Sequence, residues 1–255
     1  MDPDGRYSRQ ELFKPIGVKG QRKLGRARVV VVGCGALGSN LCDKLVRAGV
    51  GNVRIIDCDR LELSNLQRQT LFDERDVEQS LPKAQAAAER LRQINSTVEI
   101  EALFQKLTSD NALELLRGAD VVLDGLDNMQ GRYAINHACL QLVVPWVYGG
   151  VVGANGMTMT VQPGRGPCLR CLFPAPPDQG ELPTADTAGI INTIPSLIAS
   201  MQVTAALRLL VDAPEQSVAG TSWLYSVDLW NGAFDRVAVR PDPDCPDCGT
   251  IGSES

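Results

Sequence analysis

We predict an α/β fold for this chain, with a Rossmann-like mixed sheet that is parallel in its N-terminal part and has antiparallel C-terminal strands. Three observations support this fold class. From Arg28 onward, short apolar runs alternate with helical patterns, as in parallel strands joined by crossover helices. A glycine-rich turn, Gly33–Gly38, follows the first apolar run and opens the first of these helices. Beyond about Met157 the pattern alternates, and Asn231-Gly232 is a strong hairpin signal.

The elements of the parallel part follow in a regular order. They are the strand RVVVVG, a helix from Gly33 to about Ala48, the strand GNVRIID ending at Asp57, a helix from Pro82, the strands TVEIEAL and DVVLDGL, a helix from about Ala134 to Leu142, and PWVYGGVVG. The C-terminal part comprises the strand MTMTV, a long loop over Gly164–Ala188, an apolar helix from Ile190 to Leu210 broken near Pro195, and the hairpin WLYSVDLW with AFDRVAV. We find no internal repeat or linker, so we expect a single domain over residues 1–255.

Composition excludes several classes of protein. With 255 residues, 44% hydrophobic and 22% charged, the chain can bury a large core and is neither disordered nor fibrous. A net charge of −5 provides no general basic field, so we expect no nucleic-acid partner. The N-terminal segment lacks an apolar core, and the longest apolar stretch, Leu142–Ala154, is interrupted by Pro145. We therefore expect a cytoplasmic protein with no membrane partner.

The glycine-rich turn predicts a nucleotide site. Gly33, Gly35 and Gly38 match G-x-G-x-x-G, and such glycines let a phosphate approach backbone amides at a helix N-terminus. Asp57, at the end of the next strand, is placed to accept hydrogen bonds from ribose hydroxyls. The alternative is that the glycines serve only a close helix-strand crossing. The motif alone does not distinguish NAD from ATP.

Cations beyond the second strand favour ATP. Chemistry at a triphosphate needs positive charge around the reacting phosphorus, and Arg68 and Lys83 would supply it. Taken singly, each of these residues is more often a solvated surface side chain. Asp127, in LDGLDN after a strand, could hold Mg²⁺ on the phosphates, because Mg²⁺ prefers one or two carboxylates with phosphate oxygens and water. The alternative for Asp127 is a helix N-cap.

Four of the eight cysteines form two pairs with the spacing of zinc knuckles. The pairs are Cys168 with Cys171 and Cys245 with Cys248. Four thiolates make a closed tetrahedral site, which is structural and not catalytic. Because 73 residues lie between the pairs, zinc would clip the C-terminal tail to the proline-rich loop. Unligated thiols or a redox pair remain the alternative.

Taken together, these motifs resemble one known family. RYSRQ, VVVVGCGALGS, IIDCD, LSNLQRQTLF, LPK, LDGLDN and the paired CxxC motifs are similar to those of the ThiF/MoeB/HesA family, over about Arg6 to Gly249. These are adenylyltransferases, related to ubiquitin-activating enzymes, that act on ubiquitin-like sulfur carriers. The resemblance implies an N-terminal arm over residues 1–25, a nucleotide-binding part over 26–155 and a zinc-clipped carrier-binding part over 156–250.

The resemblance also implies roles for single residues. Gly35 and neighbouring amides would contact ATP, Asp57 the ribose, and Asp127 the Mg²⁺, while the phosphates would be held by Asn65, Arg68 and Lys83. Arg9 would reach the ATP of a neighbouring subunit, which implies a homodimer. The C-terminal Gly-Gly carboxylate of the carrier would attack the α-phosphate and form an acyl adenylate, releasing pyrophosphate. Since that carboxylate is ionised at pH 7, no base is needed, and we expect His137 to have a packing role.

One departure from the family concerns sulfur transfer. Ala185 stands where the family usually has a cysteine, and alanine cannot form a thioester. The chain is therefore predicted to stop at the acyl adenylate and to depend on an external sulfur donor, unless Cys34 or Cys58 substitutes. The sequence is also compatible with two other functions. One is an NAD(P)-linked oxidoreductase, and the other is a noncatalytic carrier-binding subunit.

Overall fold

The computed structural model describes residues 5–175, 183–212 and 220–249. These residues form one eight-stranded sheet with helices packed on it. The strands are β1 (Arg28–Val32), β2 (Asn52–Asp57), β3 (Glu99–Phe104), β4 (Val121–Asp124), β5 (Trp146–Val152), β6 (Asn155–Val161), β7 (Ser222–Asp228) and β8 (Ala233–Val239). Their order in the sheet is β3-β2-β1-β4-β5-β6-β7-β8. The first five strands pair in parallel, and β5 to β8 pair antiparallel. The predicted mixed sheet is confirmed.

The register brings three strand ends to one edge. Val32 at the end of β1 is aligned with Ile56 of β2 on one side and with Asp124 of β4 on the other. The strand order reverses between β1 and β4, and open α/β sheets bind ligands outside the carboxyl ends of strands at such a point.

Ten α-helices lie in the described part of the chain. They are α1 (Ser8–Glu11), α2 (Gly17–Leu24), α3 (Ala36–Ala48), α4 (Glu74–Glu78), α5 (Lys83–Ile94), α6 (Ala112–Leu116), α7 (Met129–Leu142), α8 (Leu169–Leu172), α9 (Ala185–Ala188) and α10 (Thr193–Leu210), with one 3-10 turn at Leu63–Asn65. Helices α3, α5 and α10 bury one face with Val29 and Val31, while α6 and α7 bury the other with Val30 and Val32. Strand β1 is thus buried on both faces, which explains its unbroken run of valines.

Several boundaries differ from the prediction for local reasons. Helix α7 begins at Met129 and not near Ala134, because the Asn128 side chain accepts a hydrogen bond from the Gly131 N–H and caps the helix. Helix α10 is unbroken at Pro195, which lies in its first turn, where the backbone N–H has no helical acceptor. The predicted loop over Gly164–Ala188 contains α8 and α9, and its residues 176–182 lie outside the described part.

Helix α10 alone among the described residues is long and apolar enough to cross a membrane by length and composition. Its Ile194, Ile198 and Ala199 side chains have no exposed surface and pack in the core formed by α3 and the sheet. Burial inside the fold accounts for part of the apolar character of α10, since 39% of the helix is buried.

Candidate functional site

The glycine turn after β1 is packed directly against the loop after β4. Gly33 has φ +87°, and a Cβ there would lie 2.7 Å from the Gly125 carbonyl oxygen. A Cβ at Gly125 would lie 2.6 Å from the Gly33 carbonyl oxygen, and one at Gly38 would collide with the same carbonyl. Gly33 and Gly38 therefore serve close packing of the backbone, the alternative reading of the motif, and Gly125 extends that contact.

Gly35 has a different environment. It is the N-cap of α3, where no side chain caps the helix, and the nearest atom to a Cβ at Gly35 would be the Gln69 Nε2, 3.8 Å away. The first amides of a helix lack helical acceptors, and the helix dipole is positive there. The start of α3 is consequently suited to bind phosphate, while Gly33 and Gly38 of the same turn are taken up by packing.

Asp57 is bonded to the glycine turn itself. Its carboxyl group is 8% exposed and accepts the Cys34 N–H at 2.6 Å and the Asp59 N–H at 2.7 Å. Burial raises the pKa of Asp57, while the two backbone donors and Lys83 oppose that shift. Each carboxylate oxygen keeps a free lone pair, so Asp57 can still accept a ribose hydroxyl.

Lys83 is a buried cation and not a solvated surface residue. It is 8% exposed at the start of α5, and its Nζ lies 3.0 Å from an Asp59 carboxylate oxygen. The Lys83 N–H also donates to the Asp59 carbonyl at 3.0 Å, which fixes the start of α5 beside the end of β2. The partner carboxylate is 63% exposed, so the ion pair opens towards solvent.

The segment after the acidic pair supplies further polar groups. Asn65, 8% exposed, accepts the Glu62 N–H at 3.3 Å and orders the 3-10 turn. Arg68 donates from Nη1 to the Ser64 carbonyl at 2.8 Å. Gln69 is 3% exposed, and its Oε1 has no hydrogen-bond partner among the described residues. Sequence reasoning did not single out Gln69, although it lies in LSNLQRQ. Its amide is the side-chain group nearest to Gly35, and a buried oxygen without a partner is a candidate acceptor for a ligand.

Asp127 follows β4 and is exposed. Its Oδ1 accepts from the Asn128 Nδ2 at 3.3 Å, whereas the cap of α7 is Asn128. The alternative role of helix N-cap therefore falls to Asn128, and the Asp127 carboxylate is open to a cation. An exposed carboxylate provides the oxygen ligands that Mg²⁺ prefers.

The predicted residues fall into two groups by position. Gly35, Asp57, Lys83 and Asp127, with Asn65 and Arg68, lie on the segments that follow the carboxyl ends of β1, β2 and β4. Arg9 forms the second group: it is exposed on α1, apart from these segments.

Helix α1 is anchored at the opposite end of α3 from the glycine turn. The Gln10 Nε2 donates to the Ala48 carbonyl at 2.8 Å, and the Tyr7 ring lies against Gly49. Since α3 has 13 residues, its ends are about 20 Å apart at 1.5 Å per residue. Arg9 is therefore remote from the glycine turn of its own chain.

The four paired cysteines come together as one cluster. Their sulfur atoms lie within 4.8 Å of one another, with 3.6 Å between Cys168 and Cys245 and 3.4 Å between Cys171 and Cys248. A tetrahedron with Zn–S bonds of about 2.3 Å places its sulfurs about 3.8 Å apart. The donor set and its spacing fit Zn²⁺, and Cys168 and Cys245 are buried.

Asn136 of α7 ties the two cysteine knuckles together. Its Oδ1 accepts the Leu169 N–H at 2.9 Å, and its Nδ2 donates to an Asp247 carboxylate oxygen at 2.9 Å. The side chain has no exposed surface. The sequence offered no signal for this role, because the partners lie 33 and 111 residues away.

The remaining nucleophile candidates are poorly suited to attack. Ala185 opens α9 and carries no thiol. The Cys34 thiol is fully buried, and its hydrogen bond with Cys42, together with burial, raises its pKa. Cys58 is exposed, yet partial desolvation and the neighbouring Asp59 raise its pKa as well. His137 is exposed and pairs with Gln141 at 2.8 Å.

One family model and several curated proteins match nearly the whole chain. The model of the ThiF family matches residues 7–247. The sulfur carrier protein ThiS adenylyltransferase of Bacillus subtilis is 48% identical over 248 residues, covering 96% of this chain and 72% of the relative. The sulfur carrier protein adenylyltransferase of Thermus thermophilus is 41% identical over 249 residues, covering 96% of this chain and 90% of the relative.

Solved structures share the fold at lower identity. A crystal structure of E. coli MccB with ATP superposes with a TM-score of 0.82 at 21% identity, covering 97% of this chain and 75% of that one. This likeness covers nearly the whole chain and shows a shared fold.

Proposed function

Because the chain belongs to the ThiF family, we propose that it is an ATP-dependent adenylyltransferase that activates the C-terminal Gly-Gly carboxylate of a ubiquitin-like sulfur-carrier protein. The observation that supports this most strongly is the grouping at one sheet edge of an uncapped helix N-terminus, the buried Asp57 and the buried Lys83. These are the groups that ribose and phosphate binding require. An NAD(P)-linked oxidoreductase would have no use for the Lys83 ion pair, and the relatives are adenylyltransferases.

The chain's own residues bind and orient ATP in this proposal. Amides at the start of α3 hold phosphate oxygens, Asp57 accepts the ribose hydroxyls, and Asn65, Arg68 and Lys83 face the phosphates. The carrier carboxylate attacks the α-phosphorus, a new C–O–P linkage forms, and pyrophosphate leaves with the electrons of the broken P–O bond. Positioning and neutralisation of charge account for the rate, since the attacking carboxylate is already ionised. Lys83 gains a second anionic partner beside Asp59.

Asp127 is the residue proposed to hold Mg²⁺ on the phosphates. Its carboxylate is exposed and leaves the capping of α7 to Asn128. When bound, Mg²⁺ would neutralise charge on the phosphate oxygens. Asp127 and water would complete the oxygen ligands, as Mg²⁺ usually requires.

Arg9 is proposed to act on the ATP of a second subunit. Its position near the C-terminal end of α3 puts it about 20 Å along the helix from its own glycine turn, well beyond the reach of one side chain. A residue in this place can serve a nucleotide only across an interface. The proposal is therefore a homodimer with two composite sites.

Sulfur transfer is proposed to depend on an external donor. Ala185 removes the usual thiol, and both Cys34 and Cys58 have raised pKa values that disfavour the thiolate. The acyl adenylate would then leave the enzyme only after attack by a sulfur nucleophile from another protein or molecule.

The four-cysteine cluster is proposed as a structural Zn²⁺ site. All four ligands would be thiolates, which leaves no open position for a substrate. Zinc would hold the segment after β8 against α7 and α8. The antiparallel strands, which belong to the predicted carrier-binding part, would be stabilised by this clip. The chain is further proposed to act in the cytoplasm.

ATP-pyrophosphate exchange tests the proposed function. The chain is incubated with ATP, Mg²⁺ and labelled pyrophosphate, either with candidate Gly-Gly carriers from the same organism or without them. A matched carrier lacking its final glycine is the control. Exchange that requires the intact tail is the expected result. Tight ATP binding without exchange for any carrier would favour the noncatalytic subunit, and preferential binding of NAD would favour the oxidoreductase.

A further inference from the structure

A buried ion pair lies directly beneath the loop that bears Asp127. Arg132, in the first turn of α7, is 7% exposed, and Asp124, the last residue of β4, has no exposed surface. The Arg132 Nε lies 2.9 Å from an Asp124 carboxylate oxygen. Replacing a buried ion pair with apolar residues is often neutral or stabilising, so stability alone is a weak explanation for this pair.

The contacts of Arg132 give it a more specific role. Its Nη2 donates to the Leu126 carbonyl at 2.7 Å and to the Gly149 carbonyl at 3.0 Å, and the guanidinium lies 5.3 Å from the centre of the Tyr148 ring. One rigid fork of donors thereby joins the end of β4, the loop after it and β5.

These contacts fill a gap in the sheet. Strands β4 and β5 pair only through Val122 with Trp146 and Leu123 with Val147. Beyond Leu123 and Val147, backbone groups of the two strands form hydrogen bonds with side chains. The Gly149 N–H donates to Asp124 at 3.3 Å, and the Gln202 amide donates to the Asp124 carbonyl at 2.8 Å.

Leu126, the residue before Asp127, forms hydrogen bonds through both its backbone N–H and its carbonyl. The Leu126 N–H donates to Asp124 at 2.9 Å, and the Leu126 carbonyl accepts from Arg132. The residue after Asp127 is Asn128, which is fixed as the cap of α7. Asp127 thus lies between two neighbours that are held in place, and its exposed carboxylate accepts a hydrogen bond from Asn128 and interacts through its charge with Arg132.

We propose that Arg132 is a positioning residue that fixes the loop Gly125–Asn128 so that Asp127 can bind the Mg²⁺ of the nucleotide. This inference rests on the proposed function, because it assigns Asp127 to Mg²⁺. Arg132 acts through the Leu126 carbonyl and the Asp124 carboxylate. Lysine at this position would keep the charge but could not present two nitrogens along one plane.

Calorimetric titration of ATP, once with Mg²⁺ and once with EDTA, tests this role without a carrier. In Arg132→Lys we expect the affinity for MgATP to fall about 10- to 100-fold, as for residues that orient metal ligands, with little change in EDTA. In an Asp127→Ala background, Arg132→Lys should cause no further loss, since both changes remove the same interaction. Arg54→Lys is the matched control. Arg54 pairs with Glu101 at 2.7 Å and donates to the Leu115 carbonyl at 2.7 Å, away from Asp127.

In the variants, three results would overturn the inference: unchanged MgATP affinity in folded Arg132→Lys, equal losses with and without Mg²⁺, or losses that add to those of Asp127→Ala. If Arg132→Lys fails to fold, the double variant Asp124→Asn with Arg132→Gln removes both buried charges, and the same loss specific to Mg²⁺ is expected. A wild-type chain that binds MgATP but shows no pyrophosphate exchange with any carrier would refute the adenylyltransferase while leaving this result in force. ATP binding that is indifferent to Mg²⁺ in the wild type would refute the positioning role.

Discussion

Removing the C-terminal knuckle gives the sharpest test of the zinc clip. The double variant Cys245→Ser with Cys248→Ser keeps Cys168 and Cys171 but opens the loop of 73 residues that the metal would close. Treated as a cross-link, closure of such a loop stabilises the folded chain by about 4 kcal/mol through the entropy of the unfolded state. For a chain of this size, that change lowers the melting temperature by about 8–16 °C.

Thermal unfolding and metal analysis should be run on the same preparations. We expect about one Zn²⁺ per wild-type chain, from the single four-cysteine cluster, loss of that zinc in the double variant, and the lower unfolding midpoint calculated above. Cys58→Ser is the control, because Cys58 is exposed and lies outside the cluster. A wild-type chain without zinc, or a double variant with the same midpoint as the control, would refute the proposed clip.

Four further predictions follow from the site. Asp127→Ala should abolish pyrophosphate exchange with an unchanged melting temperature, because the side chain is exposed; exposed Glu89→Ala should change neither, and equal loss in both would contradict the assignment. Mixing Arg9→Ala with Asp127→Ala chains should restore part of the activity that each lacks alone, measured by the same exchange, whereas no restoration would count against composite sites. In Asn136→Ala, zinc should be released to a chelator about 10- to 100-fold faster. An unchanged release rate would contradict a role of Asn136 in holding the two knuckles together. Burial raises the pKa of Asp57, and the carboxylate is the form that accepts ribose hydroxyls. ATP affinity should therefore fall as pH decreases, and this loss should begin at a higher pH than the protonation of an exposed aspartate. Asp57→Asn should bind weakly and lack that dependence in a calorimetric pH series, and a wild-type profile in the variant would be the contrary result.

The parts of the fold that local sequence determines were predictable. The valines of β1, the glycine turn and the carboxylate ending β2 are consecutive signals in one βαβ unit, and the structure confirms their arrangement. The CxxC pairs were visible as pairs because two residues of spacing are characteristic of a metal knuckle. Their assembly into one cluster is present in the structure.

The parts that depend on distant contacts were not predictable. Asn136 lies on a helix with no local sign of a metal-site role, and its partners are far away along the chain. In the sequence, Arg132 resembles an ordinary helical arginine. Only the structure shows that the pairing of β4 with β5 ends at Val147 and that Arg132 bonds to the Gly149 carbonyl beyond that point. The cap of α7 was left open between Asp127 and Asn128, and the structure assigns it to Asn128.

The contact of Gly33 and Gly38 with Gly125 has a consequence for how the site responds to its substrate. The loops after β1 and β4 are about ninety positions apart in the chain, yet they meet backbone to backbone with no side chain between them that could adopt another rotamer. They are therefore expected to behave as one stiff unit. The entropy lost in bringing the amides of α3 and the segment of Asp127 to a common edge is lost once, when the chain folds. Each catalytic cycle would then begin from a preorganised site, and conformational adjustment would be left to the carrier.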